Sequence, residues 1–252
     1  MTSSSSRIAR ARRWIGWMCL AAGISHPCWS APNPSIGPCG NSSASVARDT
    51  HAFFPDENLE RLALRLSSTL YADRATYDRL VRDVSLIRAR APQLKSVHYF
   101  ARQDARILNV FFNTFDFWRV RAHLYGDWNC LNGFLGAEVA FHPDFDYAEL
   151  TFAGLYNPDV IARAYRALSG VKMTEFAGFV GDSSNIFVTR EASTWHYVFD
   201  IAGGDCPSGC TEHELHYFAI TPDGRVHTTA TWKAQANEPP PDWATAYFRQ
   251  YH

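Results

Sequence analysis

The sequence predicts an α+β fold: two N-terminal helices, a mixed strand–helix–strand portion and a C-terminal antiparallel sheet. Three observations predict it. Leucines and other apolar residues recur at helical spacing from residue 56 to the early 90s. Strand-like and helix-like runs then alternate between about 105 and 180. From about residue 183 the hydrophobic period changes to two, with turn residues between the runs.

Taken in order, "DENLERLALRLSSTLY" (56–71) places Leu59, Leu62, Leu66 and Leu70 along one side of a helix. Asp73 is a cap for a second helix, "RATYDRLVRDVSLIRARAP", with Tyr77, Leu80, Val81, Val84 and Ile87 along one side and Pro92 as its stop. "ARILNVFF" (105–112) reads as a strand. The stretch "NTFDFWRVRAHLYGDWNC" fits neither period cleanly. "GAEVAFHPDFDYAELTFAGL" reads as a hairpin about Pro143-Asp144. "NPDVIARAYRAL" (157–168) carries Asn157 as N-cap and Pro158 at the first helical position, and "VKMTEFAGFVG" returns as a strand. Four alternating runs follow, with Trp195, Tyr197, Phe199 and Ile201 on one face and "TPDGR" as a turn. A short helix capped by Asp242 closes the chain.

Ahead of the domain, residues 1–30 read as a signal peptide. "RIARARR" supplies four arginines, "WIGWMCLAAGI" an apolar run of eleven, and Cys28 and Ser30 are small residues at cleavage positions. Eleven apolar residues are too few to span a bilayer, which needs about twenty in a helix. The order of charge and apolar residues favours export over a cytosolic basic arm, so the expected location is periplasmic or extracellular. Neither Cys19 nor Cys28 sits in a lipid-attachment context, and no integral membrane segment is expected in the mature chain. Residues 31–56, rich in Pro, Ser, Ala and Gly, read as a flexible arm. The remaining 57–252 are expected to form a single α+β domain, with a possible internal boundary near 183.

Composition narrows the function classes. The chain of 252 residues holds 24 Lys and Arg against 25 Asp and Glu. Without the four leader arginines the balance is about five net negative charges, which argues against a nucleic-acid partner. Of six cysteines, two lie in the leader and four remain, an even number that in an exported chain favours disulfides. The short spacing makes Cys206–Cys210 the easiest closure and leaves Cys39–Cys130, which would tie the arm to the body.

The stretch "GGDCPSGCTEHELHYF" (203–218) also spells Cys206, Cys210, His213 and His216, the ligand types of a zinc site. The spacing is tight for such a site, and an odd offset on a strand turns His213 and His216 to opposite faces. Compartment and the turn formers Pro207 and Gly209 favour a staple over a metal or redox centre, so no cofactor is expected. Catalytic candidates are Asp205, His213 and His216, with Glu212 and Glu214 beside them. Imidazole and carboxylate could serve as acid and base of a secreted hydrolase if one pocket gathers them. "GDSS" at 181–184 lacks a downstream Asp-x-x-His and reads as a turn. The acidic run His142, Asp144, Asp146, Glu149 reads as a hairpin tip rather than a calcium site. The aromatic run Phe111, Phe112, Phe115, Phe117, Trp118, Tyr125, Trp128 is expected chiefly in the core, with an exposed sugar or protein platform as the alternative.

"GGDCPSGC" followed by an aromatic strand resembles a signature of a family of secreted bacterial proteins of unknown function, and the likeness extends through "GDWNC" and "LSGVKMTEFAGFVGD". It implies a loop joining two strands and carries no activity. "ELTFAGLYNPDVIARAYRALSGVKMTEFAGFVGD" is similar to the strand–helix–strand half of the propeptide inhibitors of subtilisin-like proteases, with Leu168, Gly170, Val171 and Glu175 matching. That likeness implies an inhibitor-like domain. The expectation is therefore a non-enzymatic binding or inhibitor-like domain whose partner is a protein, a small molecule or a glycan, with the secreted hydrolase as the alternative.

Overall fold

The computed structural model describes residues 54–234 and 239–251. The expected signal peptide, most of the arm, Cys39 and the leader cysteines lie outside the described residues. Among the described residues, no helix is long and apolar enough to cross a membrane.

The fold is α+β, with two four-stranded antiparallel sheets. Helix α1 (Glu57–Arg65) starts where the Asp56 carboxylate accepts from the Asn58 and Leu59 amides. Helix α2 (Arg74–Arg90) starts the same way at Asp73, which accepts from Thr76, and ends before Pro92. The first sheet is built from β1 (Gln103–Phe112), β2 (Ala137–His142), β3 (Tyr147–Phe152) and β4 (Val171–Gly178). Between β1 and β2 the ambiguous stretch resolves into two helices, α3 (Thr114–Arg121) and α4 (Gly126–Leu135). The Asn113 side chain caps α3, and Gly136, at φ 63°, ends α4 in the left-handed region. Between β3 and β4 runs α5 (Pro158–Arg166), capped by Asn157 with Pro158 at its first position.

The spatial order is β2-β3-β1-β4, with each neighbouring pair antiparallel. Two crossovers, one through α3 and α4 and one through α5, make this a split β-α-β, or ferredoxin-like, arrangement. All three helices pack on one face. Leu108, Val110, Phe112, Leu150, Phe152 and Phe176 from the strands meet Phe117, Trp128, Ile161 and Tyr165 from the helices. The same alternation turns Ile107, Asn109 and Phe111 the other way.

The second sheet is a meander of β5 (Asn185–Glu191), β6 (Thr194–Gly203), β7 (Glu212–Ile220) and β8 (Val226–Lys233), in that order. The alternation expected for Trp195, Tyr197 and Phe199 holds: these residues join Phe218 and Ile220 in a core with α1 and α2. The reverse face carries Phe187, Val198 and Leu215, which pack against Ala244 and Tyr247 of the last helix, α6 (Asp242–Tyr251). Asp242 is the first helical residue rather than the cap.

Two buried asparagines tie the parts together. The Asn157 amide caps α5 through its oxygen while its Nδ2 donates to the Leu64 and Ser67 carbonyls, 2.9 and 2.7 Å away. Asn185 stands in for a strand neighbour: its oxygen accepts from the Phe100 amide and its Nδ2 donates to the Phe100 carbonyl. The chain passes from the first sheet to the second between Gly178 and Asn185, and the Gly-Asp-Ser segment there is an irregular connection with a bend at Gly181. Gly181, at φ 97°, lies so close to the Cys206 carbonyl that a Cβ would sit 2.8 Å from it.

Candidate functional site

Two regions hold the residues that the sequence singles out: the loop between β6 and β7, and the end of the first sheet where the aromatic run falls. Cys206 and Cys210 form a disulfide around a one-turn 3-10 helix. Cys130 is also in a disulfide; its expected partner, Cys39, lies outside the described residues. Because Cys206 and Cys210 are bonded to each other, neither is a thiolate, and the zinc arrangement does not form.

The two histidines part company as strand geometry requires. On the α6 side, His213 Nδ1 lies 2.9 Å from Asp200 Oδ2, and its Nε2 lies 3.0 Å from the Cys210 carbonyl. The Tyr247 hydroxyl donates to the same Asp200 oxygen at 2.8 Å. Asp200 is buried at 2% exposure. The hydrogen bond to Asp200, more than any other influence, raises the His213 pKa, and the Cys210 carbonyl acts in the same direction. An imidazolium donating from both nitrogens fits this cage better than a neutral ring. Such a ring has no nitrogen left to take a proton from a substrate, so His213 fastens the disulfide loop to the sheet.

His216 faces the opposite side, with the Glu214 carboxylate 2.9 Å from its Nε2 and Thr231 beside its Nδ1. Asp205 and Glu212 are exposed. The structure therefore brings His213 together with Asp200 and Tyr247, which the motif reading missed, turns His216 to the other face and leaves Asp205 exposed. Asp200 had one signal in the sequence, a charge inside "WHYVFDIA"; its partners lie 13 and 47 residues away. Among the described residues, no group of three or more His, Cys, Asp or Glu side chains is arranged to hold a metal ion.

The aromatic run divides between two environments. Phe112, Phe117, Tyr125 and Trp128 are core, as expected. Phe111, Phe115 and Trp118 are not. Phe115 and Trp118 are 73% and 56% exposed on α3, and Leu124 follows them at 71%. Phe111 belongs to the uncovered face of the first sheet. There it forms a cross-strand row with Tyr147, His142 and Met173. His142 and Tyr147 stack at 4.3 Å with planes 9° apart, and Phe111 lies 5.0 Å from Tyr147. Phe145 projects beside them from the tip between β2 and β3. A hydrogen bond from Thr114 to Asp146 brings the start of α3 to the same tip. The exposed apolar residues of α3 and of the sheet thus collect at one end.

The next row inward is polar. It reads Ala140, Glu149, Asn109, Glu175, with Glu138 one row further along. No ion pair engages Glu138, Glu149 or Glu175 among the described residues, and no lysine or arginine shares these rows with them. The Asn109 Oδ1 is buried without a hydrogen-bond partner. In the sequence Glu149 belongs to the charged hairpin tip and Glu175 to the propeptide-like segment, and neither reading joins them on one face. The missing signal was which face the crossover helices leave uncovered. Compared with family models, with curated proteins and with solved structures, the chain matches none.

Proposed function

We propose that this is an exported, non-enzymatic binding domain, inhibitor-like in action, that docks a protein partner on the uncovered face of its first sheet. One observation carries the reading: an aromatic row and three unpaired carboxylates share an open four-stranded face, at the end where Phe115, Trp118 and Phe145 are exposed. Isolated exposed apolar residues need no explanation, but a contiguous group rimmed by charge is the composition of an interface. His142 and Tyr147 stack face to face and Phe111 is tilted 33° against Tyr147, so part of this row's ring face is already taken by its own members. That favours a protein over a glycan. The unpaired carboxylates suit a partner that presents cations or helix N-termini. The likeness of the β3–α5–β4 segment to subtilisin-type propeptides supports an inhibitor-like partner class, and the disulfide supports export.

The test is a panel of secreted serine proteases that includes subtilisin-like enzymes. Binding or inhibition by at least one is expected, weakened about tenfold or more by the double charge reversal Glu149→Lys/Glu175→Lys. A panel with neither binding nor inhibition sinks the inhibitor reading. Equal affinity of the double variant moves the interface off this face.

A further inference from the structure

A second site lies away from that face. A cavity of about 550 Å³ opens where α1, the segment leading into β1, and the start of α5 meet. Three guanidinium-bearing residues line it: Arg61, Arg65 and Arg102. Leu64 and Ala105 line it as well, and with Leu155 they form a small apolar cluster. The volume falls within the usual range for small-molecule pockets, about 300–1,000 Å³.

The cations are held in place. Arg61 donates from Nε and Nη2 to Glu57 and comes within 3.7 Å of Asp104, neither of which lines the cavity. Its side chain is 14% exposed, and Nη1 makes no hydrogen bond among the described residues. Arg102 lies 3.5 Å from Asp182 and keeps half its surface open. The lone acid in the lining is Asp159, at the first turn of α5. The lining thus sets three arginines against one acid, while Glu57, Asp104 and Asp182 engage Arg61 and Arg102 from outside it and hold their guanidinium groups in place.

Tyr99 is the independent pointer. It is 92% buried, it lines the cavity, and its hydroxyl has no hydrogen-bond partner among the described residues. A hydroxyl so placed is satisfied by a ligand oxygen or by solvent in the cavity. Guanidinium groups with free donors recognise oxyanions with strong, charge-assisted hydrogen bonds.

We propose that this cavity binds a small organic anion, its carboxylate or phosphate held by Arg61, Arg102 and the Tyr99 hydroxyl, and its apolar body resting on Leu64 and Ala105. Titration of the full-length, oxidised protein with phenyl phosphate, benzoate, inorganic phosphate and phenol tests it, followed by calorimetry and by amide shifts of residues 61–65 and 99–105. Phenyl phosphate or benzoate should bind more tightly than inorganic phosphate, and phenol least; whichever of the first two is tighter identifies the acid group. Tyr99→Phe and Arg102→Gln should each weaken binding about tenfold with unchanged melting. Arg121→Gln, on α3, should leave it unchanged. The proposal is overturned if none of the anions binds, if phenol binds as tightly as phenyl phosphate, or if Arg121→Gln weakens binding as much as Arg102→Gln. Failure here leaves the interface on the first sheet untouched, because no residue is shared.

Discussion

The two sheets have the same number of strands and the same antiparallel pairing, yet they are used differently. The second sheet is covered on both faces: α1 and α2 close one, and α6 closes the other. The first is covered on one face only, by α3, α4 and α5. An antiparallel sheet can leave one face to water, and then that face normally alternates to polar residues. Here it does so only in part. Glu138, Glu149, Glu175 and Thr151 follow the rule, whereas Phe111, Tyr147 and Met173 break it. The second sheet breaks local rules too, by burying charges, but Asp200 and Asp83 each find partners inside the fold. Asp200 meets His213 and Tyr247, and Asp83 of α2 meets Arg79, Arg82 and Tyr197. Exceptions with internal partners hold the fold together, and exceptions without them are what the proposed interface rests on.

The largest expected effect tests the internally answered side. Asp83 is fully buried and accepts from Arg79, from Arg82 at 3.1 Å and from the Tyr197 hydroxyl at 2.9 Å. Asp83→Ala leaves the Tyr197 hydroxyl and Arg79 Nε without their acceptor and the Arg79 charge without its carboxylate, although Arg79 Nη2 keeps the Ile220 and Thr221 carbonyls. Removing one partner of a buried ion pair costs about 3–5 kcal/mol. Glu175→Ala, on the uncovered face, should stay within about 0.5 kcal/mol. Urea denaturation of both variants separates them. Equal losses would mean that the uncovered face is as integral to the fold as the covered sheet, and the distinction would fail.

The sequence carries the covered sheet far better than the open one. Period-two alternation through Trp195, Tyr197 and Phe199 names a buried face directly, because α1 and α2 pack on these residues. The starts of α1, α2 and α5 were equally legible, since Asp56, Asp73 and Asn157 are side-chain caps that act within three residues, but α1 stops at Arg65 rather than running to residue 71, and Leu70 lies beyond it against the core of the first sheet. What lay beyond local pattern is the route of the connections. All three helices between the strands of the first sheet fall on one side, and α1 and α2 go to the other sheet, so nothing returns to cover Phe111 and Tyr147. A run containing both Phe111 and Phe112 reads as core from composition alone, although adjacent residues on a strand must face opposite ways. The same limit hid the Asp200 cage. The "CPSGC" motif drew attention to His213, but the partners that fix its role come from another strand and from the last helix.

A smaller effect follows from that cage and depends on pH. The Asp200 hydrogen bond raises the His213 pKa above its ordinary value of 6.5. The protonated ring is favoured in the folded state, so its contribution is fully present below about 6.5 and fades as pH rises through the raised value. The urea midpoint should therefore fall as pH is raised from 6 through mildly alkaline values. His213→Gln should start from a lower midpoint at pH 6 and lose that slope. A slope retained in His213→Gln would assign the pH dependence to other groups.

The smallest expected effect on stability carries the most weight for function. Phe145 stands at the tip between β2 and β3, 73% exposed, and belongs to none of the hydrophobic clusters of the fold. Little apolar area is lost from the core when it is changed, so Phe145→Ser should move the denaturation midpoint by less than about 0.5 kcal/mol in free energy. Its neighbour Ala148→Ser, one turn of the pleat away and fully buried, adds a hydroxyl to the covered face and should cost more, about 1–3 kcal/mol. If the uncovered end is an interface, the order reverses when partner binding is measured. Phe145→Ser should weaken binding severalfold or more, because exposed aromatic anchors carry a large share of interface energy. Ala148→Ser should bind normally at temperatures where it is folded. A Phe145→Ser protein that is stable and binds at full affinity would reduce the aromatic end to surface without consequence, and the unanswered exceptions of the first sheet would then need another explanation.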